Sequence, residues 1–396
     1  MSDERIYLDN AATTKTDPRV VAAMEPFFTE VYGNPNSLHT EGRAASTALE
    51  NARERVAASL NAARLDEIIF TSGGTESDNS ALIGLATAGG RTAGHIIVSA
   101  FEHHAVLEPA EWLGKHGFEV SLLKPDSDGV VSVAGLEELL RDDTVLVSVM
   151  HGNNELGTVQ PIAELAAAAH ARGALFHSDA AQTLGKLVID VQALGVDAMS
   201  FSGHKIYGPK GVGVLYLKKG LRFAPYLMGG GQEFRKRSGT QNVPGAQGFA
   251  TALELMDAER PEETPRLVAL RDRLEAAVIE RLENVYVNGT NAPRMPHITS
   301  LIVKGVEGES MLLHLDAKGL AVSTGSACSS GSLQASHVLL AIDCPQEIAH
   351  GSLRLSLGRF TTEADVDYFV DSLVPIVERL RSMSPVYAKM FGGQPA

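Results

Sequence analysis

Cysteine is nearly absent: 396 residues hold two, Cys328 and Cys344. That is too few for the disulfide framework of a small secreted protein, and it fits a reducing cytoplasm, where a lone thiol is either buried filler or a reactive group. Positive charge is also short. Thirty-four Lys and Arg stand against 48 Asp and Glu, a formal net charge of −14. Neither nucleic acid nor an anionic membrane surface finds the positive field it needs, so no direct nucleic-acid partner is expected. The one basic run, Arg235-Lys236-Arg237, suffices for a single phosphate. No apolar run approaches the ~20 residues of a membrane span. Met1–Tyr7 is polar and charged, without the apolar core of a signal peptide; a cytoplasmic location is expected. Internal repeats and low-complexity linkers are lacking as well. What remains is the ordinary composition of a soluble globular chain, 44% hydrophobic and 21% charged, long enough for one large domain and a smaller one.

Short apolar or β-branched stretches alternate with helical patterns through the middle of the chain. Glu67–Thr71, His95–Ala100, Phe118–Lys124, Thr144–Met150, Ala174–Ser178, Asp197–Phe201 and Gly213–Leu217 read as strands, with helices such as Thr75–Ala88 and Ile162–Arg172 between them. Uninterrupted apolar runs joined by helices predict an α/β fold around a mostly parallel sheet buried on both faces. Beyond about residue 255 the pattern changes. A charged helix is expected over Pro265–Glu283, then a strand at Ile298–Lys304, a helix near Glu309–Lys318, a strand at Leu320–Ser323 and a closing helix from Glu363 to about Met383. The division expected is a large domain of residues 15–255 and a small domain of residues 1–14 and 256–396.

Five clusters of chemically capable residues fall at five expected strand ends. Thr71-Ser72-Gly73-Gly74-Thr75 is a glycine turn between strand and helix, which offers backbone N–H groups and the Thr75 hydroxyl to an anion. It lacks the lysine of a P-loop, and by itself an ordinary capped turn accounts for it. Ser202-Gly203-His204-Lys205 carries more weight: a lysine just past a strand end, flanked by hydroxyl and imidazole donors, suits covalent capture of an aldehyde cofactor with its phosphate nearby. In His177-Ser178-Asp179-Ala180-Ala181-Gln182 a carboxylate can pair with a pyridinium N–H, and Gln182 can reach a ring hydroxyl; the plain alternative is an Asp capping the next helix. Asn153-Asn154-Glu155 adds an amide at the ring edge, and Glu102-His103-His104 an imidazole to stack on a flat ring. Adjacent histidines raise a metal, but no carboxylate or thiol cluster at ligand spacing supports one. Ligands of open α/β sheets bind at this carboxyl edge.

Cys328 lies in Ser323–Ser332, a stretch of small residues without periodicity that reads as a mobile loop. A structural cysteine prefers an apolar core; hydroxyls and glycine around Cys328 point to a reactive thiol. Cys344, in Ala341-Ile342-Asp343-Cys344-Pro345, has no such setting and reads as structural or incidental.

Together these segments resemble the cysteine desulfurases of the IscS/NifS class, within the fold-type I pyridoxal-phosphate (PLP) enzymes, nearly end to end. The resemblance rests on Leu8–Thr14 (LDNAATT), Gly33-Asn34-Pro35, Thr71–Asn79 (TSGGTESDN), Asn153–Gly157 (NNELG), Ser200–Gly213 (SFSGHKIYGPKGVG), Arg237–Thr240 (RSGT), Ser323–Ser330 (STGSACSS) and Arg354–Thr362 (RLSLGRFTT). Ser200–Gly213 and the cysteine motif are specific; the glycine turns are not. It implies a large domain with a mostly parallel seven-stranded sheet, a smaller α+β domain carrying the cysteine, and conversion of L-cysteine to L-alanine with the sulfur passed as a persulfide to Cys328. It implies that Lys205 binds PLP, that His103 stacks on the ring, and that Asp179 pairs with its nitrogen. Gln182 and Asn154 then flank the ring hydroxyl, while Thr75, Ser202 and His204 hold the phosphate. Thr240 reaches the phosphate of a neighbouring subunit, hence a homodimer. Arg354 clamps the substrate carboxylate with Asn34 beside it. The sulfur is destined for an iron–sulfur scaffold protein or another acceptor, and Cys328 is the residue able to ligate a nascent iron–sulfur cluster. The rivals are an aminotransferase, which needs no loop thiol, a selenocysteine lyase, a sulfur carrier without catalysis, against which Lys205, Asp179 and His103 argue, and a simple phosphate-binding module, for which the cysteine loop would be superfluous.

Overall fold

A computed structural model describes residues 5–324 and 335–391. Its twelve strands run, in chain order, β1 (Ile6–Tyr7), β2 (Ile68–Thr71), β3 (Gly94–Ser99), β4 (Phe118–Leu123), β5 (Thr144–Ser148), β6 (Leu175–Asp179), β7 (Ala198–Ser202), β8 (Gly213–Leu217), β9 (Val285–Val287), β10 (Ile298–Val303), β11 (Leu320–Ala321) and β12 (Ser352–Ser356). Seven form the central sheet in the order β2-β8-β7-β6-β5-β3-β4. Only β8 runs against its neighbours. The inner strands, and β2 at one edge, are buried along nearly their whole length, which is why their sequences are continuous apolar runs. The other edge strand, β4, buries only its two ends and exposes Glu119 and Leu122. The mostly parallel seven-stranded sheet is the expected one, and its strands lie within about two residues of the sequence reading.

A second, antiparallel sheet has the order β12-β10-β9, and β1 pairs in parallel with β11. The helix Glu363–Met383 covers it with Val366, Phe369, Val370, Leu373 and Val377, a stripe at helical spacing. Burying side chains of this size contributes about 1.5–3 kcal/mol each.

The sequence reading of the long helix is corrected by the structure. Instead of starting at Pro265 it runs unbroken over Val243–Arg281, 39 residues with Pro261 and Pro265 inside. At 1.5 Å per residue that is about 58 Å. Proline removes a donor and usually opens or ends a helix. Here packing at both halves wins over that local cost: Val243, Ala246, Phe249 and Leu253 join the core of the central sheet, while Leu267, Leu270, Leu274 and Val278 join that of the second sheet. The helix therefore crosses residue 255 and ties the two cores together.

Candidate active site

The site is assembled where β2, β3, β5, β6 and β7 end, and the N-terminal segment Asp9–Thr14 crosses it. At the phosphate end, β2 leads through Ser72-Gly73 into the helix Gly74–Ala86, with Thr75 exposed in its first turn. Gly213 of β8 permits this: a Cβ there would stand 2.6 Å from the Gly73 carbonyl carbon. The Ser202 hydroxyl is buried and has no partner. It faces the helix start, since a Cβ on Gly74 would lie 3.5 Å from Ser202 Cβ. An orphan hydroxyl beside helix N–H groups is a cradle for an anion. His204 Nδ1 lies 3.0 Å from Thr13 Oγ1, and burial, with Lys205 and Lys210 nearby, pushes the imidazole down to about 4.

Lys205 closes the short helical turn after β7. Its Nζ donates to the carbonyls of Ala11 and Ala12, the latter at 2.8 Å. Gln182 Nε2 donates to the same Ala11 carbonyl at 2.9 Å, leaving its buried Oε1 without a partner. Asp179, 6% exposed at the end of β6, accepts the Ala181 N–H at 2.8 Å. Burial pushes its carboxyl up, and the Ala181 N–H, His103 and Lys205 pull it back toward the ionised form. His103 caps the helix His104–Lys115, its Nδ1 accepting the Ala105 N–H at 3.1 Å. That contact leaves the ring proton on Nε2. Burial lowers the imidazole's proton affinity, so a neutral ring is favoured.

Below this layer lie buried groups to which no motif assigns a role. His177 is fully buried between Ser148 Oγ (2.8 Å) and Ser200 Oγ (2.9 Å), and burial pushes it down to about 3. Asp78 Oδ1 stands 3.6 Å from His177 Nε2; burial, then the charge of Asp179, pushes Asp78 well above the usual carboxylate range. Burial raises Glu102 to about 8. Burial thus disfavours charge on both Asp78 and Glu102, while Asp179, whose carboxyl His103 and Lys205 pull back toward the ionised form, is the group placed to carry it.

Arg354 reaches the site from β12. It is 4% exposed; Nη2 pairs with Asp9 Oδ1 at 2.7 Å, Nη1 donates to the Asn154 carbonyl at 3.1 Å, and its buried Nε lacks a partner. Asn154 thus enters through its backbone as well as by position. Asn34, expected beside Arg354, is exposed in a turn where its Oδ1 accepts the Asn36 N–H at 3.0 Å; no contact among the described residues joins it to Arg354. Asn36 instead bonds Gln241 at 2.9 Å, next to the exposed Thr240.

Cys328 lies outside the described residues. Its flanks do not: Ser323 pairs with Arg354 through two backbone bonds of 2.7 and 3.2 Å, and the Ser336 hydroxyl donates to Glu155 Oε2 at 2.5 Å. Both ends of the segment meet the site. Cys344 is buried beside the Tyr286 hydroxyl, 3.6 Å away, and burial pushes its thiol up. Among the described residues no cluster of His, Cys, Asp and Glu is fit to hold a metal, and no helix is long and apolar enough to cross a membrane. The contributions missed in the sequence are those of Asp9, Ala11 and Thr13. Their segment was visible as a motif, but its contacts are to residues 171 to 345 positions away.

Three orphaned polar atoms (Ser202 Oγ, Gln182 Oε1 and Arg354 Nε), one amine and one carboxylate suit a flat aldehyde with a phosphate at one end, as PLP is. Comparison with known proteins agrees. The family model described as aminotransferase class-V matches residues 6–369. A cysteine desulfurase IscS of Dictyoglomus turgidum is 50% identical over 96% of this chain and 96% of its own. Among solved structures, a NifS-like protein superposes with a TM-score of 0.89 at 39% identity, covering 95% of this chain and all of its own. SspA in complex with cysteine gives 0.80 at 34%, over 90% and 100%.

Proposed function

The chain belongs to the class-V aminotransferase family and, within it, to the PLP-dependent cysteine desulfurases, and we propose how its residues divide the conversion of L-cysteine to L-alanine. PLP, when bound, supplies an electron sink conjugated with the substrate's α-carbon. Lys205 Nζ is the amine that binds it and the base that takes the Cα proton. Asp179 would pair with the ring nitrogen, and burial, which disfavours charge on Asp78 and Glu102 beneath, leaves that role to one carboxylate. Gln182 and Asn154 would orient the ring, and His103 would pack against it and move protons as a neutral imidazole. Thr75, Ser202 and His204 hold the phosphate. Arg354 takes the substrate carboxylate, with Asp9 setting the guanidinium's angle and Asn34 as the second contact to the substrate. The Cys328 thiolate attacks the substrate sulfur. A sulfur–sulfur bond forms as the carbon–sulfur bond breaks, its electron pair stays with carbon, and protonation there yields alanine. The persulfide sulfur then passes to an iron–sulfur scaffold protein or another acceptor in the cytoplasm. In this reading residues 15–255 bind the cofactor, and residues 1–14 with 256–396 bring Arg354 and Cys328 to it.

The observation that carries this is the meeting of Lys205, Gln182 and Arg354 on one N-terminal segment, Asp9–Ala12. Incubation of the purified protein with L-cysteine and limiting reductant is its test: alanine and protein-bound sulfur should appear in equal amounts. Release of pyruvate, or alanine without sulfur transfer, would contradict it.

Asp179→Ala should retain the fold while lowering turnover by about 10²-fold or more, the usual worth of a group that acts on charge developing in the reaction. Near-native turnover with PLP bound would remove Asp179 from its role. A homodimer is supported by exposed apolar side chains on two segments bonded through Asn36 and Gln241. They are Phe28, Tyr32 and Leu38 on one, and Tyr226, Leu227 and Met228 on the other. Sedimentation should give twice the 42.0 kDa chain mass; a monomer at micromolar concentration refutes the dimer.

A further inference from the structure

Arg53 and Glu233 form an ion pair that the chemistry above does not use. Both are sealed from solvent, at 1% and 3% exposure. Arg53 comes from the helix Thr40–Ser59 and Glu233 from the segment between β8 and the long helix. The fork is bidentate, Nη1 to Oε2 at 2.8 Å and Nη2 to Oε1 at 2.9 Å, and the Phe70 N–H of β2 donates to Oε2 at 2.9 Å. The guanidinium also packs on the rings of Phe70 and Phe234, 5.1 and 4.9 Å from their centroids. Stability alone is a weak reason for such a pair, because packed apolar residues of like volume usually serve as well.

What the pair holds is strained. Glu233, Phe234 and Arg235 have φ of 44°, 56° and 64°, three successive non-glycine residues in the left-handed region. Such a conformation persists only where its surroundings over-determine it, and it clusters at functional sites. The chain onward is bonded step by step. The Ser238 hydroxyl donates to the Gly230 carbonyl at 2.7 Å, and the Gly239 N–H to Gln232 Oε1 at 3.1 Å. Arg237 pairs with Glu76 at 2.7 Å, and Glu76 in turn accepts the Ser72 N–H of the phosphate turn at 2.7 Å. The next residue is Thr240.

We propose that the buried Arg53–Glu233 pair is a positioning device for Thr240: it holds residues 233–235 in their left-handed form and so aims Thr240 at the cofactor phosphate of a second copy of the chain. This rests on the reading of Thr240 and the dimer given above. Neither Arg53 nor Glu233 touches substrate or cofactor.

Arg53→Met alone would strand Glu233 as a buried unpaired charge and endanger folding. The double variant Arg53→Met/Glu233→Leu removes both charges and keeps the volume, and Glu233→Gln keeps the shape and the Phe70 contact. Full-length protein freed of PLP is titrated with PLP and with pyridoxal, the same aldehyde lacking phosphate, and its association state is followed by sedimentation. In the double variant PLP affinity should fall about tenfold or more, the worth of one hydrogen bond to a charged group. Pyridoxal affinity and the dimer should be unchanged, and Glu233→Gln should show a smaller loss in the same direction. Thr240→Val should reproduce the selective loss. If Thr240→Val leaves PLP affinity intact, the reading of Thr240 falls and takes the proposal with it. If Thr240→Val is selective while the pair variants match wild type, or lose PLP and pyridoxal alike, that reading stands and the proposal is overturned.

Discussion

Replacing Lys205 by alanine is expected to abolish both the visible absorption of the bound cofactor and alanine formation from L-cysteine. Loss of turnover should exceed about 10⁴-fold, because one amine is asked both to bind the cofactor and to move the Cα proton. The rival amine is Lys186. It is buried, donates to the Lys205 carbonyl at 2.8 Å, and burial lowers it to about 7, so a reactive neutral form is available to it at neutral pH. Lys186 follows the Asp179–Gln182 turn, however, and its Nζ is engaged with the backbone of Lys205, whereas Lys205 Nζ reaches the Ala11 carbonyl that Gln182 also holds. Borohydride reduction of the coloured protein followed by peptide mapping separates the two. The pyridoxyl label should sit on Lys205. A label on Lys186, or a coloured and active Lys205→Ala protein, would reassign the chemistry.

Much of the site was legible because its residues stand where strands end, and strands buried on both faces announce themselves as apolar runs. Lys205 after Ala198–Ser202 and Asp179 at the end of Leu175–Asp179 are of this kind. What escaped is long-range. Asp9 meets Arg354 across 345 positions, and Ala11 meets Gln182 across 171; no local period encodes either. The buried histidine His177 and the buried acids Asp78 and Glu102 escaped for another reason: a polar residue in an apolar run shows that something must satisfy it, without showing what. The two prolines of the long helix misled because their local cost is visible and the packing on both sides is not. Asn34 was placed by resemblance, and its Asx turn with Asn36 is a local device that neighbouring Pro35 and Asn36 do hint at.

Cys328→Ser is expected to bind PLP as wild type does and still to respond spectrally to L-cysteine, yet to form no persulfide and to lose alanine formation by about 10³-fold or more. The reason is a division of labour. Lys205, Asp179 and His103 sit at the carboxyl edge of the central sheet, whereas Cys328 belongs to a separate segment whose described flanks meet that edge through Ser323 to Arg354 and through Ser336 to Glu155. Removing one sulfur leaves every contact described above for Lys205, Asp179 and His103 in place. A serine hydroxyl cannot substitute: it is barely ionised at neutral pH, whereas a thiol of pKa about 8.5 is already a few per cent thiolate and far more nucleophilic. The same logic makes Cys344→Ser nearly silent, since that thiol is buried, pushed up by burial and turned toward Tyr286. Alkylation of the protein after a single turnover, with mapping of the persulfide by mass spectrometry, decides between the two sulfurs. Extra sulfur on Cys344, or a Cys328→Ser protein that still yields one alanine per site in a single turnover, would show that the acceptor is not Cys328.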